Sequence, residues 1–432
     1  MKADEAASPV AQSTERIAVV DVLRAFALLG IIVTHSVTGF LAGAAPNPNF
    51  MTFGPLDRAV VELERLLSFG KFYTIFSFLF GLSFAIQLNN ATRKGLAFSG
   101  RFAWRLIVLL GIALVHGMFF SGDVLIVYAL LGLLLIPCRN LSNSKLLIIS
   151  FILVLNIPGL ILGLLQVSAP PPTADEAQAR AALMEQFAQA AQHQFEIKQA
   201  GTVRDLIGLN LTYAMVSKLL FLIFTGRLWI TFGLFLLGLY AGRMNVFNDT
   251  PASRQLFTRL LAWAGGTALV TTAVAILRPP TYQLESLVDA LAAFSFSVQQ
   301  ASLSAFYVAG IVLLYWRKPA QHVLPALAPL GKLGLTTYLM QSAFGLIVFY
   351  GFGLGLLGHL GAAASVGISV AFYALQMLFA RWWLGYFNLG PAEWLWRSLT
   401  YFRLHPNGAG TPARHEAETM SPLVTPRRSS DN

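Results

Sequence analysis

The sequence predicts an all-α fold, a polytopic transmembrane helical bundle of about ten spans with both termini cytoplasmic. Three observations predict it. Of the 432 residues, 56% are hydrophobic and 12% charged, against about 25% charged in soluble domains, and mean hydropathy is +0.64. The apolar residues fall in runs long enough to cross roughly 30 Å of hydrocarbon. The basic residues behind a net charge of +10 gather in alternate loops, as the positive-inside rule requires. That distribution makes the lipid bilayer the expected partner, and no nucleic acid.

Residues 1–16 are polar and read as a cytoplasmic tail. The first half of the bundle, 17–167, carries apolar spans at 17–40, 67–89, 103–121, 123–138 and 146–167. Its first span lacks a small-residue cleavage site and is read as a retained anchor. Arg93, Lys94 and Arg101 follow the second span, and Arg139 and Lys145 the fourth. An insertion at 168–227 opens on Pro170, Pro171 and Pro172 and continues as an Ala/Gln/Glu-rich helix-forming run over 174–200. It closes with an apolar stretch, 206–225, that contains Lys218. The insertion is expected to be extracytoplasmic with 206–225 interfacial, because an extra span would invert the charge pattern downstream.

The second half, 228–405, carries spans at 228–243, 257–277, 291–316, 334–355 and 362–384. Arg243, Arg254 and Arg259, then Arg317, Lys318 and Lys332, fall on the side of the termini. A cytoplasmic Gly390-Pro-Ala-Glu-Trp-Leu-Trp-Arg397 block ends this half, with Glu393 and Arg397 spaced as a helix pair. Residues 406–432, rich in Pro, Ser, Thr, Gly and Arg, are expected to be a disordered tail. Cys138 is the sole cysteine, which excludes an internal disulfide and a Cys-based metal site. There is no Walker-type loop, no His-Glu-x-x-His and no Gly-x-Ser-x-Gly elbow, and no metal is expected.

Ionisable groups inside membrane spans are costly and usually face a protein interior or a wet cavity. The first span holds three: Asp21, Arg24 and His35. Arg24 and His35, eleven positions apart, lie about 20° from full turns and roughly 16 Å along the axis. One stripe of this helix is therefore polar, with Arg24 suited to an anionic ligand on the cytoplasmic side, such as a phosphate, and His35 to proton transfer. A plain Asp21–Arg24 ion pair at the interface is the structural alternative. In the second constellation, Ser121-Gly122 turns the chain between spans three and four, and this hairpin can bring His116 onto Asp123, a pairing that orients an imidazole. An interfacial hydrogen bond closing the hairpin explains the same pattern. Tyr128 follows one turn later. The third is Gly331 to Ser342, where Thr337, Tyr338, Gln341 and Ser342 share a helix face, either as ligand contacts or as hydrogen bonds between helices.

These blocks, with Lys71-Phe-Tyr-Thr-Ile-Phe-Ser-Phe-Leu-Phe-Gly81 and Gly390 to Arg397, resemble the YeiB-like family of bacterial inner-membrane proteins, whose function is unknown. The matching pieces run in the family's order from residue 16 to about 403. The family in turn looks distantly similar to the type-3 membrane acyltransferases and to heparan-sulfate N-acetyltransferase. The type-3 enzymes begin with an Arg, ten residues, then a His proposed as catalytic, the spacing of Arg24 and His35. YeiB-like proteins commonly carry Asn where this chain has His35, so the chain departs from its nearer family toward the acyltransferases.

The resemblance implies an inner-membrane acyltransferase that uses acyl-CoA as co-substrate and a small-molecule, glycan or lipid-linked acceptor. His35, His116 and Asp123 are then the catalytic candidates. Asp21, Arg24, Tyr128, Thr337, Tyr338 and Gln341 are the substrate-binding candidates, with Tyr338 or Gln341 donating to a carbonyl oxygen. A transporter or exporter of a small molecule or lipid-linked intermediate, its pathway lined by the same stripe, is the alternative. A membrane protein without a substrate is the third reading.

Overall fold

The computed structural model describes residues 9–38, 40, 54–280 and 284–408, of which 9–17, 213–215 and 321 are described through the backbone alone. Residues 1–8 and the 409–432 part of the expected disordered tail lie outside the described residues. Helices account for the fold, and among the described residues the one β-type contact is an isolated bridge between Phe387 and Gly408. In chain order the helices are α1 (Pro9–Val37), α2 (Pro55–Leu67), α3 (Phe72–Arg93), α4 (Ser99–Phe119), α5 (Leu125–Cys138), α6 (Asn143–Val154), α7 (Ile157–Ser168), α8 (Ala174–Ala200), α9 (Val203–Leu209), α10 (Met215–Phe224), α11 (Arg227–Arg243), α12 (Pro251–Leu277), α13 (Leu287–Tyr315), α14 (Ala328–Lys332), α15 (Gly334–Phe349), α16 (Ala362–Tyr386) and α17 (Pro391–Tyr401).

This is an all-α multi-pass membrane protein. Among the described residues, six helical segments are long and apolar enough to cross a bilayer, nine if each of three bent pairs counts as one. The ten segments read from sequence as spans coincide with helices or bent pairs, but α5 and α11 are too short to be among those nine, while 203–224, expected to be interfacial, is one of the bent pairs. The stretch 206–225 folds as α9 and α10 around a π-helical turn, Asn210–Ala214, with a 48° bend. The break between α6 and α7, a bend of 43°, has a local cause. Asn156 adopts the left-handed conformation at φ 55°. Its amide ties the break to two other helices, accepting from Trp229 Nε1 at 2.6 Å and donating to Ser297 Oγ at 3.0 Å.

The first helix is the axis of the molecule. Val19, Val20, Val22, Leu23, Ala25, Ala27, Leu28 and Ile32 are all at most 2% exposed, which puts apolar residues on every face of α1, the signature of a helix surrounded by others. It packs against α3, α14, α15 and α16. The backbones of α3 and α11 cross closely. A Cβ at Gly81 would stand 2.0 Å from the Phe235 carbonyl oxygen, and one at Gly238 would stand 2.2 Å from that of Phe78. Small residues let two backbones meet this closely in a membrane, where packing rather than water exclusion drives association. α3 in turn meets the Arg24 end of the polar stripe through Ser83.

Candidate functional site

The α4–α5 hairpin brings His116 and Asp123 together as the sequence suggests. His116 Nδ1 and Asp123 Oδ1 are 2.7 Å apart. The second carboxylate oxygen accepts the Ile126 backbone N–H at 3.0 Å, which caps the first turn of α5. Asp123 is fully buried. Where the Asp123 carboxylate is ionised it only accepts, which puts the proton of this hydrogen bond on Nδ1 and leaves the lone pair of a neutral ring on Nε2. That Nε2 is buried with no hydrogen-bond partner among the described residues.

His35 reaches the same place from α1. The Phe120 ring lies 5.2 Å from the His35 ring and 5.7 Å from the His116 ring, centroid to centroid. The two imidazoles are close enough to interact electrostatically. His35 Nδ1 is likewise buried and unpartnered among the described residues. Tyr338 of α15 completes the group. Its ring stands 5.4 Å from His116, and its hydroxyl accepts the Val124 N–H at 3.2 Å, a bond that leaves the hydroxyl proton available. Two enclosed imidazole nitrogens and a phenol beside a buried carboxylate form a centre able to take, hold and return a proton.

The insertion covers this centre. Lys198 of α8 is 1% exposed, and its Nζ points at Ser121 Oγ, 3.5 Å away, in the hairpin turn. Burial pushes the Lys198 amine down to about 7. One turn earlier on the same helix, Gln194 is fully buried, and both of its amide atoms lack a partner among the described residues. Asn210, which opens the π-turn, donates to the Met118 carbonyl at 2.9 Å. Lys218 of α10 interacts electrostatically with Asp123. In sequence, Lys218 stands out only as a charge in an apolar run, and 174–200 reads as a helix without a continuous apolar stripe. A separate groove of about 620 Å³ between α8 and α9, lined among others by His193, Arg204 and Asp205, includes none of the histidine-centre residues.

Other candidates stand elsewhere. Arg24 pairs with Asp21 and donates through Nη2 to Ser83 Oγ of α3 at 2.7 Å. Lys332 acts on Asp21 electrostatically. This cluster lies at the opposite end of the α1 stripe, roughly 16 Å from His35 by helix rise. Tyr128 joins neither end: its hydroxyl is hydrogen-bonded to Ser77 Oγ at 2.7 Å and the Tyr73 carbonyl at 3.2 Å, inside a cage of Phe76, Phe80 and Phe235. Thr337 and Gln341 face α1 and α16. Gln341 Nε2 donates to the Leu28 carbonyl at 3.3 Å and to Gln376 Oε1 at 3.2 Å, and Gln376 Nε2 donates to the Thr337 carbonyl at 3.1 Å. Those two residues hold helices together; of the polar face, Tyr338 alone reaches the histidines. Glu393, spaced to pair with Arg397, places its carboxylate on the start of α15, accepting from Leu335 N at 2.7 Å and Thr336 N at 3.1 Å.

Comparison with known proteins places this architecture. Residues 241–403 match a family model described as "Protein of unknown function (DUF418)". This match agrees with the YeiB-like sequence blocks. Over 91% of its length it is 28% identical to "Uncharacterized protein YxaH" of Bacillus subtilis (strain 168), covering 96% of that protein. Over 89% of its length it is 26% identical to "Uncharacterized protein YeiB" of Escherichia coli (strain K12), again covering 96%. A 39.9 kDa protein in the amylase 3' region of Bacillus acidopullulyticus is 27% identical over 91% of the chain and 96% of its own length. No solved structure matches. The DUF418 region holds Lys332, Tyr338, Glu393 and Arg397, while His35, His116 and Asp123 precede it.

Proposed function

We propose that this DUF418-type membrane protein is an acyltransferase that moves an acyl group from a cytoplasmic acyl-CoA to an extracytoplasmic or lipid-linked acceptor. The observation that carries this reading is the His116–Asp123 pair, whose Nε2 is unpartnered among the described residues and whose imidazole, like that of His35, lies beside the Phe120 ring. His116 Nε2 takes the proton of the acceptor hydroxyl or amine as that atom bonds to the thioester carbonyl carbon. Asp123 holds the imidazole in the required tautomer and offsets its positive charge. The Tyr338 hydroxyl donates to the carbonyl oxygen as it becomes an oxyanion. Collapse of the tetrahedral intermediate breaks the carbon–sulfur bond, and the imidazolium proton leaves with the CoA thiol. The length of the stripe supports the same reading. Arg24 and His35 are separated by about 16 Å, the order of length of the phosphopantetheine arm between the phosphates of a CoA thioester and its sulfur.

The test is release of free CoA from acetyl-CoA by the purified protein in liposomes, with membrane extract as the source of acceptor. Wild-type protein releases thiol and His116→Ala does not; equal release by the two sinks the reading. A transporter remains the second reading, and one observation favours it. Glu64 is 5% exposed, with one carboxylate oxygen unpartnered among the described residues, and interacts electrostatically with fully buried Lys71. Buried ionisable pairs in membranes commonly serve ion-coupled transport. Saturable uptake of a labelled solute without CoA release would select it.

A further inference from the structure

Eleven buried polar side-chain atoms lack a hydrogen-bond partner among the described residues, and five of them belong to four residues around the end of α4. Two are imidazole nitrogens beside Phe120, His35 Nδ1 and His116 Nε2. The other three come from the 168–227 insertion: Asn210 Oδ1 and both amide atoms of Gln194. Gln194 is fully buried and Asn210 is 3% exposed. Asn210 Nδ2 donates to the Met118 carbonyl at 2.9 Å, two residues beyond His116. Gln194 shares the buried face of α8 with Ala191 and Lys198, and Lys198 Nζ stands 3.5 Å from Ser121 Oγ. The Lys198 carbonyl accepts the Gly351 N–H at 2.9 Å, and Gln199 Nε2 donates to the Leu357 carbonyl at 3.2 Å. Phe195 and Ile197 pack on the apolar cluster that contains Phe40 and Phe120. The helix, and not a bond of its own amide, places Gln194 here.

An enclosed polar group left unsatisfied costs roughly 1–3 kcal/mol, and native chains keep few of them. A purely structural position would be filled at lower cost by an apolar side chain of the same length. Five such atoms beside a His–carboxylate pair mark a site that a ligand completes. Four of them can accept a hydrogen bond, and the Gln194 amide nitrogen donates. The complementary ligand therefore carries several hydroxyls, each a donor and an acceptor, and the neutral amides suit an uncharged one. The groove of about 620 Å³ between α8 and α9 gives such a ligand an approach. His193 and Ile197 of its lining flank Gln194 along α8, and Leu209 of its lining precedes Asn210. Ile197 touches both this groove and the cluster around Phe120.

We propose that Gln194 and Asn210 form a binding site for an uncharged, hydroxyl-rich ligand of the sugar type beside the histidine centre. Under the acyl-transfer reading, on which only this role rests, that ligand is the acceptor. Binding is measured without CoA, so the site and the reading fail separately.

The experiment follows thermal unfolding of the whole protein, in a detergent without a sugar headgroup, while N-acetylglucosamine is titrated. The wild-type midpoint rises saturably. Gln194→Met starts from a higher midpoint than wild type, because an apolar side chain of equal length replaces two unsatisfied atoms. Its apparent affinity for the sugar falls roughly tenfold or more. Asn210→Ala loses the Met118 bond, so it starts lower, and its affinity falls as well. Gln178→Met, on the exposed part of α8, changes neither quantity. A lower starting midpoint in Gln194→Met would assign its amide to a bond within the chain and overturn the proposal. No sugar shift in the wild type would leave these atoms to buried water and overturn it too, as would wild-type affinity in either variant. Protein that binds the sugar but releases no CoA from acetyl-CoA in its presence rejects acyl transfer and keeps the site.

Discussion

His116 Nδ1 donates to Asp123 Oδ1 across 2.7 Å, and the Asp123 carboxylate simultaneously accepts the Ile126 N–H at 3.0 Å. One buried side chain thus caps a helix and orients an imidazole, and substitution can separate the two tasks. Asp123→Asn keeps the shape and an oxygen for the cap but no longer requires the proton on Nδ1. CoA release is expected to fall roughly a hundredfold or more, with the unfolding midpoint little changed. Asp123→Ala lowers both, since a lost cap costs about 1 kcal/mol. Paired measurements of thiol release and thermal unfolding on the two variants check this; full activity in Asp123→Asn would reduce the pair to a hairpin clasp.

Lys198 sets a pH dependence of stability. Burial lowers its amine from 10.5 to about 7 in the folded chain. Between those values the unfolded chain binds the extra proton, so stability rises with pH from about 7 to 10.5 and is flat, as far as this group goes, below about 7. Lys198→Met removes that rise. Unfolding midpoints of both proteins at a series of pH values test it, and parallel curves would show that Lys198 contributes no such slope.

Glu393 answers for the start of α15. Its two oxygens accept from Leu335 N, Thr336 N and, at 2.5 Å, the Thr336 hydroxyl, where the chain breaks between α14 and α15. Glu393→Ala leaves enclosed backbone donors without an acceptor, at a cost of roughly 2 kcal/mol. Since α15 carries Tyr338, the same change is expected to reduce CoA release while leaving the Lys198-dependent pH slope intact. Wild-type thermal stability in Glu393→Ala would count against the cap.

The fold is legible in sequence because apolar length and loop charge report directly on membrane helices, and Asp21, Arg24, His116 and Asp123 are legible because charge stands out in such runs. Local spacing places His116 on Asp123, since a turn of a few residues fixes the hairpin. It misplaces Tyr128, whose hydroxyl is claimed by α3, and Gln341, claimed by α1 and α16; partners far along the chain decide both. Lys198 and Gln194 are hidden for the opposite reason. Their helix mixes apolar and polar residues without a continuous apolar stripe, and its end packs at the hairpin turn, where Lys198 meets Ser121.

His35 is the position that distinguishes an enzyme centre from an inherited framework, and His35→Asn is its test, since Asn is what the YeiB-like relatives are expected to carry there. Its Nδ1 is unpartnered among the described residues and its ring shares Phe120 with His116. Asparagine preserves a polar atom at this point of α1 and abolishes titration. If His116 is the base and His35 the group that receives or returns its proton, His35→Asn lowers maximal CoA release roughly tenfold or more and changes the pH–rate profile. If His35 only packs, rate and pH profile both match the wild type, and the proton chemistry belongs to His116 and Asp123 alone. Comparison with His35→Ala separates lost titration from lost packing against Phe40 and Phe120: a fall in thermal stability confined to the alanine variant assigns the remainder of the effect to the proton.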